Sequence, residues 1–218
     1  ICSRQIRLCA HQRRPRHRQG RGGDGNQQIP GEVSRIAVYS GSFNPLHIGH
    51  LAIMRHMTEK EGFDHVYLIV SPKNPLKEGI SSDTGPERYA AALDAVRRHP
   101  ELKVKVNDIE LNMPAPHFTI RTLDELRLRE PENTFTLIIG ADNLADIRRW
   151  KDYGRILREF GVAVFPRTGF DLQAIKADLL DEDPSYKILI TEAEMVNISS
   201  TIIREALSEG KDISSWLM

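Results

Sequence analysis

The stretch that decides the fold is Ile36-Ala37-Val38-Tyr39-Ser40-Gly41-Ser42-Phe43-Asn44-Pro45-Leu46-His47-Ile48-Gly49-His50. It opens with a short apolar run of strand length, Ile36–Tyr39, and passes through a glycine–proline loop into helical spacing over Leu51–Glu61. Gly41 permits close backbone approach, Pro45 stiffens the loop, and Gly49 leaves room beside the start of a helix. His47 and His50, three residues apart around that start, are expected to turn imidazole N–H groups toward one point. The unpaired amides and positive dipole end of the helix add to them there. Such a gathering of donors suits a polyphosphate, whose transition state spreads negative charge over its equatorial oxygens.

Working outward, the same alternation repeats. Apolar runs at Val66–Val70, Val104–Val106, Phe135–Ile139, Val162–Phe165 and Ile188–Ile190 have strand length. Between them, Tyr89, Leu93 and Val96 share one helical face, and helical spacing recurs over Ile120–Arg129, Tyr153–Phe160, Leu172–Leu180 and Thr201–Leu207. The pattern predicts an α/β fold over residues 35–218, a single domain with a doubly wound, mostly parallel sheet. Ligands of such sheets bind beyond the carboxyl ends of the strands, where the strand order reverses.

The unusual residues stand at those ends. Ser71-Pro72-Lys73 opens a loop that runs to about Gly85, long enough to act as a lid, and the fourth strand ends in Gly140-Ala141-Asp142. Beyond the last strand lies Ile198-Ser199-Ser200-Thr201-Ile202-Ile203-Arg204. Its serines and threonine are good helix-start residues, and Arg204, one turn after Thr201, can fold its planar guanidinium back over the same anion.

Composition narrows the function classes. The chain has 218 residues, 40% hydrophobic and 28% charged, the proportions of an ordinary globular protein. No run approaches the ~18 consecutive apolar residues of a membrane span. The net charge of zero hides a split: residues 1–34 hold seven arginines and two acids, leaving 23 basic and 28 acidic residues in the remainder. This leader is expected to be a disordered, dispensable tail, with transit-peptide and nucleic-acid-binding roles or an upstream extension of the native start as alternatives. Its Gly20-Arg21-Gly22-Gly23-Asp24-Gly25 matches a dinucleotide fingerprint in letters only, since no strand precedes it and no helix follows.

The acidic body argues against a nucleic-acid surface outside the leader. Both cysteines, Cys2 and Cys9, also lie in the leader, so the body fits a reducing, cytoplasmic compartment, and zinc is disfavoured. His56, His65, His99 and His117 sit in contexts that read as surface or local structure.

Gly41–His50 resembles the nucleotidylyltransferase signature G-x-F-x-P-x-H-x-G-H, and Ile198–Arg204 resembles its partner I-S-S-T-x-x-R. His47 and Gly140-Ala141-Asp142 followed by Trp150 make the chain most similar to the bacterial nicotinate mononucleotide adenylyltransferases. The resemblance implies a Rossmann-like fold that joins ATP to nicotinate mononucleotide, with Mg²⁺ carried on the ATP. It implies that His47, His50 and Arg204 are catalytic and that Gly41, Ser42, Phe43, Gly49, Lys77, Ser200 and Thr201 hold ATP. Gly140 and Asp142 would line the cleft, Trp150 would stack on the pyridine ring, and Thr119 would stand where the pyridine carboxylate is read. Arg167 is a further candidate for nucleotide contact. His117 and Phe118 replace the Ser-Tyr usual before that threonine, which bears on how acid is told from amide. Nicotinamide mononucleotide and phosphopantetheine are the alternative acceptors, and a nucleotide sensor on this fold is the non-catalytic alternative. Deleting residues 1–34 is expected to leave turnover unchanged in a steady-state assay and to abolish any RNA affinity of the full chain.

Overall fold

A computed structural model describes residues 33–72, 84–193 and 198–218. Nearly all of the expected leader, and Lys77 with most of the loop around it, lie outside these described residues. Six strands form one parallel sheet: β1 (Arg35–Gly41), β2 (His65–Val70), β3 (Val104–Asn107), β4 (Thr134–Gly140), β5 (Val162–Phe165) and β6 (Ile188–Ile190). Their order is β3-β2-β1-β4-β5-β6, so the chain starts at the centre, winds to one edge, returns and winds to the other. This is the doubly wound order, with its reversal between β1 and β4. Val38 lies opposite Tyr67 on one side and Leu137 on the other.

Strand alternation divides the core into two layers. Ile36, Val38, Tyr67, Ile69, Leu137 and Ile139 face one side, while Ala37, Val66, Leu68, Val70 and Ile138 face the other. Helices α1 (Ile48–Glu59) and α2 (Gly85–Arg97) cover the second face through Met54, Met57, Ala92 and Ala95. Helices α3 (Thr119–Arg129), α4 (Ala141–Ala145) and α6 (Leu172–Glu182) cover the first, with α5 (Tyr153–Arg155) running on as a π-helical turn, Ile156–Phe160. The final helix, α7 (Ser200–Ser208), buries Ile203 and Ala206. Among the described residues no helix is long and apolar enough to cross a membrane.

Two elements depart from the sequence pattern. The segment Tyr153–Phe160 is not a plain α-helix, because it widens after one turn. In α2 the apolar stripe Tyr89–Leu93–Val96 is only half-buried, and the innermost row is Gly85, Arg88, Ala92 and Ala95. Small residues let this helix come close: a Cβ on Gly85 would stand 2.7 Å from the Leu111 side chain and 3.3 Å from the Pro72 backbone. Leu68 is fully buried in the sheet, whereas Leu128 is 77% exposed on α3. Leu68→Ala is therefore expected to cost about 2–5 kcal/mol in urea unfolding, and Leu128→Ala less than about 0.5 kcal/mol.

Candidate active site

At the end of β1 the chain must turn sharply into α1. Phe43 takes the turn in the left-handed region, at φ 45°, unusual for a residue with a side chain. Its ring lies over Gly41, where a Cβ would stand 3.2 Å from it. The same ring meets Tyr39 and His50 edge-on, at centroid distances of 5.2 and 5.1 Å.

His47 is the N-cap of α1, and it forms a reciprocal cap with His50. The Gly49 N–H donates to His47 Nδ1 and the His47 N–H donates to His50 Nδ1, both at 3.2 Å. Because each Nδ1 accepts, the single proton of each neutral ring sits on Nε2. The rings lie 3.7 Å apart between centroids. Gly49 leaves room beside them: a Cβ there would stand 3.0 Å from the His47 ring, which would have to shift by a few tenths of an ångström. Burial pushes His47 down to about 4. Burial, then the neighbouring His47 and Arg167, hold His50 well below the usual histidine value. Both imidazoles are neutral donors near pH 7.

The second signature packs on the same loop. Ser199 caps α7, its hydroxyl accepting from the Ile202 N–H. Ser200 Oγ donates to the Pro45 carbonyl at 3.2 Å, and Arg204 Nη1 donates to the Asn44 carbonyl at 2.9 Å while Nη2 donates to Thr201 Oγ1 at 3.1 Å. The His pair and the Ser-Thr-Arg cluster thus meet across one loop, although 150 residues of sequence separate them. Ser200 and Thr201 are the two hydroxyls expected to hold phosphate; Ser199 caps the helix, and Ser200 also fastens the loop.

Next to β1, β4 ends in Gly140. Arg167 Nε lies 3.1 Å from Asp142 Oδ1. That oxygen is buried and, the Arg167 ion pair apart, has no hydrogen-bond partner among the described residues. A Cβ on Gly140 would stand 2.5 Å from Asp142 Oδ1 and 2.8 Å from Arg167 Nε, so the pair requires the glycine. Arg167 acts electrostatically on both His50 and Tyr39, which puts it with the histidines. Thr119 opens α3, and Phe118 and Trp150 both pack half-buried against one core layer. His117 Nε2 donates to the Met113 carbonyl at 3.0 Å.

Sequence reasoning missed three contributors. Glu110, 3% exposed, accepts from Thr122 Oγ1 at 2.9 Å, from Ser40 Oγ at 3.2 Å and from Ser71 Oγ, joining the ends of β1 and β2 to α3. Arg88 reaches the carbonyls at the ends of β1 and β2. Leu217 pairs antiparallel with His47. Only Arg88 left a trace, as a charge in register with the buried Ala92 and Ala95.

Residues 38–206 match the cytidylyltransferase-like family. A Bacteroides fragilis protein, named a probable nicotinate-nucleotide adenylyltransferase, is 39% identical over 184 residues, covering 84% of this chain and 87% of its own. The chain belongs to this family. A Flavobacterium psychrophilum relative of the same name is 38% identical over 185 residues, covering 84% of this chain and 91% of its own. In fold, the chain is similar to the Plasmodium falciparum nicotinic acid mononucleotide adenylyltransferase complexed with NaAD, at TM-score 0.69 and 18% identity over 84% of this chain and 90% of that one.

The lowered histidine values fix a pH dependence. Between about 6.5 and about 4 the unfolded chain takes up a proton at His47 that the folded chain refuses, so stability falls as pH drops through that window. In NMR titration neither the His47 nor the His50 ring is expected to titrate between pH 5.5 and 8; a midpoint near 6.5 for either would contradict the buried, neutral cap.

Proposed function

We propose that this chain is a nicotinate-nucleotide adenylyltransferase: it joins ATP and nicotinate mononucleotide into nicotinate adenine dinucleotide, releasing pyrophosphate. The observation that carries the reading is the meeting of the His47–His50 pair and the start of α7 on one loop, at the reversal point of the sheet. The names of the relatives supply the substrate class.

A phosphate oxygen of the mononucleotide attacks the α-phosphorus of ATP, a new P–O bond forms, and the bond to the β-phosphate oxygen breaks. The attacking oxygen is already ionised at neutral pH, so no general base is needed. Catalysis reduces to aligning two anions and offsetting charge. On this reading the Nε2–H groups of His47 and His50 donate to the triphosphate, supported by Arg204, Thr201 and Ser200, with Lys77 steadying the phosphates. Gly41, Ser42 and Phe43 offer backbone to the nucleotide. Asp142, beside Gly140, accepts a hydroxyl of the substrate, and Arg167 lies at the rim. Thr119 and Trp150 take the pyridine.

Mg²⁺ arrives as part of the substrate, on the ATP phosphates. Phosphate oxygens and water are the ligands such an ion prefers. The cysteine-free body fits a cytoplasmic setting.

Pyrophosphate release from ATP, measured side by side with nicotinate mononucleotide, nicotinamide mononucleotide and phosphopantetheine, is expected to favour the first. Preference for the amide would move the acceptor and keep the reaction. His50→Ala is expected to lower kcat by ~10²–10³-fold, about 2.7–4 kcal/mol, by removing a preorganised donor. Wild-type turnover in folded His50→Ala would remove this residue from the mechanism.

A further inference from the structure

Arg88 is only 7% exposed, and its guanidinium reaches the backbone of two loops. Nη1 donates to the Ser42 and Ser71 carbonyls, each at 2.7 Å, and Nη2 donates to the Pro72 carbonyl at 2.8 Å. Ser71 and Pro72 follow the end of β2, and Ser42 follows the end of β1. One planar fork on α2 therefore pins two neighbouring strand-end loops, a geometry that a lysine ammonium cannot reproduce.

The Ser42 carbonyl belongs to the peptide that leads into Phe43. That residue is held at φ 45°, a left-handed turn that an aromatic side chain resists unless its surroundings fix it. Once there, the Phe43 ring stands edge-on to His50, 5.1 Å away at 83°. The chain of contact runs from Arg88 to the Ser42 carbonyl, to the Phe43 turn, to the wall beside the His50 ring.

We propose that Arg88 is a positioning residue: by holding the Ser42 carbonyl it keeps Phe43 in its turn and so orients the imidazole of His50. The role rests on His50 being a donor to the polyphosphate, as argued above. It predicts a loss in kcat rather than in the affinity for the mononucleotide, because the misplaced group acts on the transferring phosphate.

The test uses Arg88→Ala and free guanidinium. Arg88 lines a cavity of about 390 Å³, together with Phe43, Leu46, Ala92 and Met218, through which a guanidinium ion can reach the vacated position. Arg88→Ala is expected to lower kcat by ~10–10²-fold, the scale of an ångström-level misplacement, with the KM for the mononucleotide within about threefold. Tens of millimolar guanidinium are expected to restore most of kcat, and methylammonium at equal concentration is not. In the substrate-free protein the His50 ring resonances are expected to shift in Arg88→Ala and return with guanidinium.

Wild-type kcat in Arg88→Ala, or a His50 resonance that stays in place, overturns the proposal. So does guanidinium that raises the melting temperature without restoring kcat. Should Arg88→Ala fail to fold, Arg88→Lys is read the same way: lowered kcat with a shifted His50 resonance supports the role, and wild-type values of both overturn it. Failure of the underlying functional reading is a different result. It would show as unchanged turnover in His50→Ala, while the His50 resonance still responded to Arg88.

Discussion

Helix α1 begins with imidazoles where most helices carry a hydroxyl or a carboxylate, and the site depends on that exchange. A carboxylate cap would satisfy the first amides and place a negative charge where, on the proposed reading, an anion sits. Each histidine accepts an amide N–H at Nδ1 and presents another N–H at Nε2, farther out. The donor capacity of the helix start is relayed outward rather than used up. This works only with neutral rings, since a protonated imidazole has no lone pair with which to cap. Burial, which pushes both rings below the ordinary histidine range, is therefore a requirement of the cap as well as its consequence.

The sheet brings the remaining groups to this point by its winding. Because β1 and β4 are neighbours at the reversal, the ends of two strands remote in sequence open side by side. Each end is a glycine, for different physical reasons. Gly41 accommodates the Phe43 ring, and Gly140 accommodates the Asp142–Arg167 pair. A Cβ at either place would press on those side chains. The small inner row of α2 does similar work one layer back, bringing Arg88 close enough to reach two loops.

Much of this was legible in the sequence, and the parts that were not share a cause. The central strands announce themselves because a parallel strand covered on both faces is a continuous apolar run, as in Val66–Val70 and Val162–Phe165, whereas the edge strand β3 carries Lys105 between its valines. The histidine pair and the Ser-Thr-Arg cluster stood out because polar residues were concentrated just after such runs. Their use was less legible: Ser200 and Arg204 were read as facing a ligand, and both also brace loop carbonyls. The buried face of α2 was misplaced by one residue, since Gly85, Ala92 and Ala95 carry too little hydrophobicity to outweigh Tyr89, Leu93 and Val96. Glu110 and the pairing of Leu217 with His47 left no local sign, because both are set by partners distant along the chain.

Arg88, Arg204 and Ser200 share one electrostatic task. Between β1 and α1 the backbone carries carbonyl oxygens, each a partial negative charge close to where phosphates would lie. Arg88 binds the carbonyl of Ser42, Arg204 that of Asn44, and the Ser200 hydroxyl that of Pro45. Three side chains from α2 and α7 thus take up three carbonyls of one short loop, two of them with full positive charges. A loop so held offers a polyanion less repulsion and has little freedom to rearrange when the anion leaves. Preorganisation of this kind lowers the reorganisation needed in the reacting complex. The helix that bears the second signature therefore acts on the first as much as on a ligand, which gives a physical reason for two sequence motifs so far apart to occur together.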